Sequence, residues 1–211
     1  GIGERGQFSE PLNSTVGLVV DGVDLTGIGS TATLFDVDQI EVLRGPQGTL
    51  YGANALAGLV NVRTADPTDQ FWSRLRLDAG DYGTRGIGAV VSGPAGERVG
   101  YRLAGQLYRE DGFIENDYLG VDDTNDRDEL TLRGKLHWQP ADDQSWTFVA
   151  GHVDVDNGYD AFSLDNDRTT LSDQPGQDVQ QSDYGSVSLD WDLSSAVTFQ
   201  ATSDSLRPFR F

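Results

Sequence analysis

From Phe71 onward apolar residues fall at every second position, the period of a half-buried β-strand, with polar residues in the places between. This alternation predicts seven strands, over residues 71–79, 84–93, 98–108, 129–139, 145–155, 184–193 and 197–205. Tight connections are expected at 94–97, 140–144 and 194–196, and long polar ones at 109–128 and 156–183, with only 80–83 short among the latter set. Short turns at one end and long loops at the other are the plan of a transmembrane β-barrel wall, whose strands need roughly 9–11 residues to cross.

The faces can be assigned on most of these strands. Leu130, Leu132, Gly134, Leu136 and Trp138 share one face of their strand, and Thr131, Arg133, Lys135 and His137 share the other. Val187, Leu189, Trp191 and Leu193 repeat the pattern opposite Ser186, Ser188, Asp190 and Asp192. The apolar sets are expected to meet lipid, and the polar sets a wet lumen. Simple hairpin registers pair Trp138 with Trp146 and Trp191 with Phe199, placing aromatics at the short-turn end like an interfacial girdle. Two strands resist phasing: 84–93 fits either face, and His152 shares a face with Trp146 and Phe148, so a bulge is expected to re-phase Val153 and Val155.

The first third of the chain reads differently. Residues 14–21 (STVGLVVD) form a short buried strand closed by Asp21-Gly22, a turn signal. Leu34, Val37 and Ile40 have helical spacing around Asp36 and Asp38, and residues 40–43 then read as strand. Arg44-Gly45-Pro46-Gln47-Gly48 can continue neither element, because Pro46 lacks a donor and the glycines favour positive φ. A short helix over 50–57 and a strand over 59–63 complete a small mixed α+β unit, expected to end at residue 69, with the strand-rich part running from 70 to 211.

The ordered set IEVLRGP, TLYG and GLVNV within residues 40–67, with VVDGV at 19–23 and the opening GIGERGQF, resembles the plug domain of TonB-dependent outer-membrane receptors. The resemblance covers nearly all of residues 1–70. It implies that the chain holds the last part of a plug followed by about seven antiparallel strands of an incomplete barrel wall, in the outer membrane of a Gram-negative bacterium. It further implies energised uptake of a scarce ligand, foremost a ferric siderophore, with cobalamin or another large nutrient behind it. The partners implied are a TonB-type inner-membrane protein, reached through an N-terminal box outside this sequence, and the lipid and lipopolysaccharide of the membrane.

The candidate plug residues are Glu41, Arg44, Gly45, Pro46, Gly48, Tyr51, Gly52, Gly58 and Asn61. The glycines read as turn geometry and close packing, and Tyr51 as packed. Arg44 sits between a strand and a rigid Gly-Pro turn, so its forked guanidinium is projected from a fixed backbone and suits carboxylates. By the resemblance it latches the plug to wall glutamates on later strands; from the residues alone it faces Glu41 or solvent.

Composition removes several other classes. Lys+Arg number 15 against 34 Asp+Glu, a formal net charge of −19, so no basic face is available for nucleic acid. There is no cysteine, hence no disulfide, thiolate metal site or cysteine nucleophile. No apolar run reaches the length of a membrane helix, so any crossing is made by strands. RGPQG lacks the Gly-Lys-Ser/Thr of a phosphate loop, and the start at Asp154 lacks the spacing and terminal glutamate of an EF-hand. No enzyme, cofactor or metal site is therefore assigned. Nine carboxylates lie in 110–129 and eight in 154–183, together half of the total. The competing class is a secreted, soluble acidic β-protein acting as an adhesin or calcium-dependent module, which would need a second apolar sheet over Leu130, Leu132 and Leu136.

Overall fold

The computed structural model describes residues 16–26, 34–46, 57–160, 167–195 and 197–210, without the side chains of 207–210. It holds two main sheets. The smaller comprises β1 (Val16–Val20), β2 (Val23–Asp24), β3 (Val37–Arg44) and β4 (Gly58–Thr64), in the order β2-β1-β4-β3. β1 and β4 are parallel, while β2 and β3 flank them antiparallel.

The larger sheet contains seven antiparallel strands: β5 (Trp72–Ala79), β6 (Arg85–Gly96), β7 (Val99–Glu110), β9 (Arg127–Ala141), β10 (Gln144–Tyr159), β12 (Gly176–Ser194) and β13 (Val197–Arg210). Each pairs with its neighbour along the chain, giving the order β13-β12-β10-β9-β7-β6-β5, an open up-and-down wall. Trp138 pairs with Trp146 and Trp191 with Phe199, as the hairpin registers predict. Between the strands, β8 (Glu115–Asn116) and β11 (Thr169–Thr170) form a small parallel pair. The two long connections are therefore joined to one another rather than loose. Asp160 lies buried between them and accepts hydrogen bonds from Asn116 Nδ2 (2.8 Å), Thr124 Oγ1 (2.8 Å) and Thr170 Oγ1 (2.7 Å).

The helical spacing at 34–40 does not produce a helix: Val37–Arg44 is strand throughout, because its backbone pairs with β4. Tertiary pairing overrides a three-residue pattern. The short helix expected over 50–57 lies, but for Ala57, outside the described residues.

The wall strands are staggered. The register row Val99, Trp138, Trp146 and Leu189 lies at the very end of the β6–β7 hairpin, but three residues above Ala141 and five above Ser194. This climb is the shear of tilted barrel strands. It also accounts for His152, which pairs with Asp183 at 2.7 Å on the outward face. His152 stands eight residues above Gln144 and Asp183 eleven above Ser194. At about 2.5 Å of height per residue for a strand tilted by about 40°, both groups lie 20 Å or more above the short turns. That is near the outer edge of an apolar band about 25 Å tall. No bulge occurs between Trp146 and Val155, since both of their pairings run in continuous register. Val153 and Val155 face inward without one. On β6, Val90 and Ser92 are buried while Ile87 and Ala89 are exposed, which settles its phase.

Leu132, Leu136, Trp138, Val187 and Leu193 are exposed on the outward face, and no second sheet covers them among the described residues, contrary to what a soluble module requires. The opposite face differs from the expected wet lumen. Thr131, Arg133, Lys135, Ser182 and Ser186 are buried, because the small sheet lies against them. A continuous apolar core joins the two: Val20, Val23, Leu25 and Val62 pack with Val149, Val153, Val155 and Tyr184. Each such side chain contributes about 1.5–3 kcal/mol when fully buried.

Candidate functional site

The polar face of the wall and the small sheet meet in a charged seam beside this apolar core. Arg102 on β7 and Lys135 on β9 are register partners, and Arg133 is one inward-facing position further along β9. From the small sheet come Asp21, in the β1–β2 turn, Asp36, just before β3, and Asp66, just after β4. Both Asp21 (φ 47°) and Asp36 (φ 60°) occupy the left-handed region, which aspartate tolerates better than most residues.

Arg102 holds Asp36 with both limbs of its fork, Nε to Oδ2 and Nη2 to Oδ1, each at 2.7 Å, and a third donor reaches the Asp66 carbonyl at 3.3 Å. The two side chains are 8% and 4% exposed, so the pair is desolvated and its geometry is bidentate. Arg74 on β5 adds a longer contact to Asp36 at 3.3 Å. Lys135 Nζ donates to the Thr64 carbonyl (2.8 Å) and approaches Asp66 (3.2 Å) and Asp21 (3.3 Å). Asp21 is held in turn by the backbone N–H of Thr64 at 2.9 Å. Arg133 donates to the Phe35 carbonyl at 3.0 Å and to the Tyr184 hydroxyl at 3.1 Å. Ser186 Oγ donates to the Asp21 carbonyl at 2.9 Å.

Each wall cation thus meets a carboxylate or a backbone carbonyl supplied by the small sheet or its flanking turns. A backbone carbonyl left over at the end of β4 or before β3 would be costly to bury unpaired, and the wall side chains satisfy it. Close approach is aided by Gly88 on β6, where a Cβ would stand 2.7 Å from the Phe35 ring. A Cβ at Gly100 would stand 2.9 Å from Pro67, and the Thr68 N–H donates to Ser92 Oγ at 2.9 Å, so the connection into β5 is laid flat on the wall.

The predicted plug residues sit elsewhere. Glu41 and Asn61 are register partners on β3 and β4, and Glu41 accepts from Asn61 Nδ2 (3.2 Å) and Gln39 Nε2 (2.9 Å) rather than from Arg44. Arg44 ends β3 at the opposite end of the sheet from Thr64; its side chain is exposed and no ion pair reaches it among the described residues. Gly45 adopts φ 87° and its N–H donates to the Ala57 carbonyl, so the chain turns there as expected before Pro46. At Gly58 a Cβ would stand 2.8 Å from the Leu43 carbonyl oxygen, which only glycine avoids. Gly48, Tyr51 and Gly52 lie outside the described residues. Of the seam, Arg133 and Lys135 were legible as an inward polar face. Asp21, Asp36, Asp66 and Arg102 were not singled out, and their one signal is an aspartate at each point where the chain reverses. No group of three or more metal-ligating side chains occurs among the described residues.

Residues 1–59 match the family model for the TonB-dependent Receptor Plug Domain. The chain is 33% identical over 135 residues to the pesticin receptor of Yersinia enterocolitica, and 31% identical over 151 residues to the ferric enterobactin receptor PirA of Pseudomonas aeruginosa. Each match takes in 64% of this chain, which spans about 20% of either relative. Among solved structures, the ferric yersiniabactin uptake receptor FyuA of Yersinia pestis superposes with a TM-score of 0.71 at 25% identity, covering 92% of this chain and 32% of that one. The ferric-catecholate import receptor Fiu of E. coli, at 18% identity and a TM-score of 0.73, shares the fold. With a matching plug sequence, a small sheet seated on the inner face of a staggered seven-stranded wall, and these relatives, the chain belongs to the TonB-dependent receptors of the Gram-negative outer membrane.

Proposed function

We propose that this chain is the plug-to-wall portion of a receptor that imports a ferric siderophore, with residues 1–69 as the end of the plug domain and 70–211 as the first part of the barrel. The observation that carries this reading is the burial of Arg102, Arg133 and Lys135 on the inward face of the wall beneath a small sheet, as expected where a plug fills a polar lumen. The ligand class rests on the relatives, whose names specify ferric enterobactin and whose structures include a ferric yersiniabactin receptor. Import makes and breaks no bond in the chain. Its energy comes from a TonB-type inner-membrane protein that pulls on the plug, and the outward face rests in lipid and lipopolysaccharide.

Arg44, projected by Gly45 and Pro46 from the end of β3 remote from the seam, is a second anchor that meets carboxylates on later wall strands. Glu41 and Asn61 brace the middle of the β3–β4 pair. Deleting the gene in its host and supplying iron only as purified ferric siderophores tests the reading: growth should fail on at least one siderophore and return with the gene. Loss of growth on limiting cobalamin instead, with iron uptake intact, would overturn the iron assignment.

A further inference from the structure

Arg85 on β6 and Arg109 on β7 are register partners, so two side chains of like charge stand directly opposite one another. Such a cross-strand pair is destabilising, and an anion between the two guanidinium groups would reverse the sign of that interaction. The described carboxylates do not take that place. Arg109 meets Asp128 through Nε at 3.0 Å, in a pair nearly half exposed on both sides, and its two outer limbs make no other contact among the described residues. Arg85 is exposed and has no hydrogen bond or ion pair among the described residues. Asp111, Asp123 and Asp126 share the small cleft beside the two arginines, yet none of them comes within ion-pair distance of either.

The pair also has a defined depth. Arg85 shares the outward face with Ile87 and Ala89, and Arg109 with Leu107 and Leu103. Arg85 stands eleven residues above Gly96, and Arg109 ten above Val99. At about 2.5 Å of height per residue, both lie at the upper edge of an apolar band about 25 Å tall. One outward row below them, Leu77, Ile87, Leu107 and Leu130 are register neighbours and form an apolar floor. Further round the wall the sign reverses at that height, with Asp154 on β10 and Asp183 on β12.

We propose that Arg85 and Arg109 form a site for the phosphate of an outer-leaflet lipid, whose acyl chains lie on the apolar row beneath. The inference rests on the placing of the outward face in lipid and is independent of the cargo. Forked guanidinium groups fit a phosphate bidentately, and one phosphate shared by both replaces a repulsion by two charge-assisted contacts. A free phosphate meets the same two cations, but it must also approach a chain of net charge −19 and the carboxylates of the cleft. A lipid offsets that repulsion by laying its acyl chains on the leucines. The acidic arc at Asp154 and Asp183 repels the same headgroup, which confines it to the β6–β7 side.

The full-length receptor, purified in detergent, would be titrated with bis-phosphorylated lipid A and with the same glycolipid stripped of phosphate, and bound lipid counted by native mass spectrometry. The variants are Arg85→Gln, Arg85→Gln with Arg109→Gln, Arg85→Lys, and Arg98→Gln as a control at the short-turn end, where Arg98 pairs with Asp142. Gel migration before and after boiling reports that each barrel is folded. The expected result is tighter retention of the phosphorylated lipid by wild type, a loss of roughly fivefold in affinity for each arginine removed, and near-complete retention in Arg85→Lys. Arg98→Gln should match wild type, and excess inorganic phosphate should not displace the lipid. Equal affinity for the two lipids, or a double variant that binds like wild type, overturns the phosphate site while leaving the lipid-facing wall standing. Displacement by inorganic phosphate overturns it in favour of a free-anion site. Retention of neither lipid by a receptor that still inserts into vesicles overturns the site alone, and failure to insert overturns the lipid-facing wall with it.

Discussion

The guanidinium of Arg102 and the carboxylate of Asp36 face each other in a two-bond fork, 2.7 Å on each limb, across the boundary between the wall and the small sheet. Both are buried, so the pair cannot be exchanged for water at either end. Removing one partner of a buried pair costs about 3–5 kcal/mol, because the other is left charged and dry. Asp36→Asn tests this cleanly, since asparagine also tolerates the left-handed backbone at φ 60°. In a double-mutant cycle with Arg102→Gln, unfolding of the full-length receptor should show a coupling of at least about 1 kcal/mol. Additive effects would mean that the two residues merely adjoin.

Lys135 carries a different share of the seam, because it satisfies the Thr64 carbonyl as well as two carboxylates. Lys135→Met keeps the aliphatic stem and removes the donor. Sensitivity of intact cells to vancomycin should rise, and Asp21→Asn in the same background should restore part of the resistance by removing the orphaned charge. No change in either variant would argue that the apolar core alone seats the sheet.

Much of the wall was legible because a β-barrel strand writes its two environments at alternate positions. Trp138, Leu136 and Leu132 could be set against His137, Lys135 and Thr131 without any structure. What the inward face touches could not be read. Thr131, expected in a wet lumen, is 2% exposed beneath the small sheet. The reason is that the sheet's contribution comes from single aspartates at Asp21, Asp36 and Asp66, separated along the chain and lacking any period. Arg44 has the opposite history: its motif is conspicuous in sequence, yet none of the described wall strands supplies it with a partner. The joined outer connections were equally hidden, because Asn116, Thr124, Asp160 and Thr170 are individually ordinary polar loop residues.

The burial of the inward face sets what arginine substitutions should do on either side of the wall. Leu136 lies five residues above Ala141, near mid-depth, and Leu136→Arg should cost about 2–4 kcal/mol in vesicle-refolded receptor. Thr131→Arg should be costly as well, through overpacking and a further buried charge against the plug. A silent Thr131→Arg would contradict the seated sheet, whereas a silent Leu136→Arg would contradict the lipid-facing assignment.

Asp160 should control the outer connections. Asp160→Ala removes the shared acceptor of Asn116, Thr124 and Thr170; Asn116 keeps the Ser172 carbonyl, while the buried Thr170 hydroxyl is stranded. Each buried polar group so stranded costs about 1–3 kcal/mol. External protease applied to whole cells should cut within 111–126 or 167–175 in this variant and spare those stretches in the parent. Equal cutting would show that the β8–β11 pairing does not hold the connections together.

Acidity should act locally on the same region. Burial, and to a smaller extent Asp123 and Asp156, push the carboxyl of Asp126 above its ordinary value, against the opposing pull of backbone hydrogen bonds. A raised carboxyl binds its proton more tightly in the folded than in the unfolded chain. Its charge therefore destabilises at neutral pH, and the strain is relieved as pH falls through the raised value. The protection factor of the Gly158 amide, whose N–H donates to the Asp126 carbonyl, should rise on mild acidification once the intrinsic base-catalysed rate is divided out, and Asp126→Asn should abolish that rise.

The seating of the small sheet on the inner wall is tested most directly at Ser186, which is buried and donates to the Asp21 carbonyl. This chain contains no cysteine, so Ser186→Cys in the full-length receptor gives a readable thiol wherever the remaining sequence is also kept cysteine-free. The expected result is negligible labelling by a membrane-impermeant maleimide in the intact receptor, and rapid labelling once residues 1–66 are deleted. Equally rapid labelling in both would contradict a plug seated on this face.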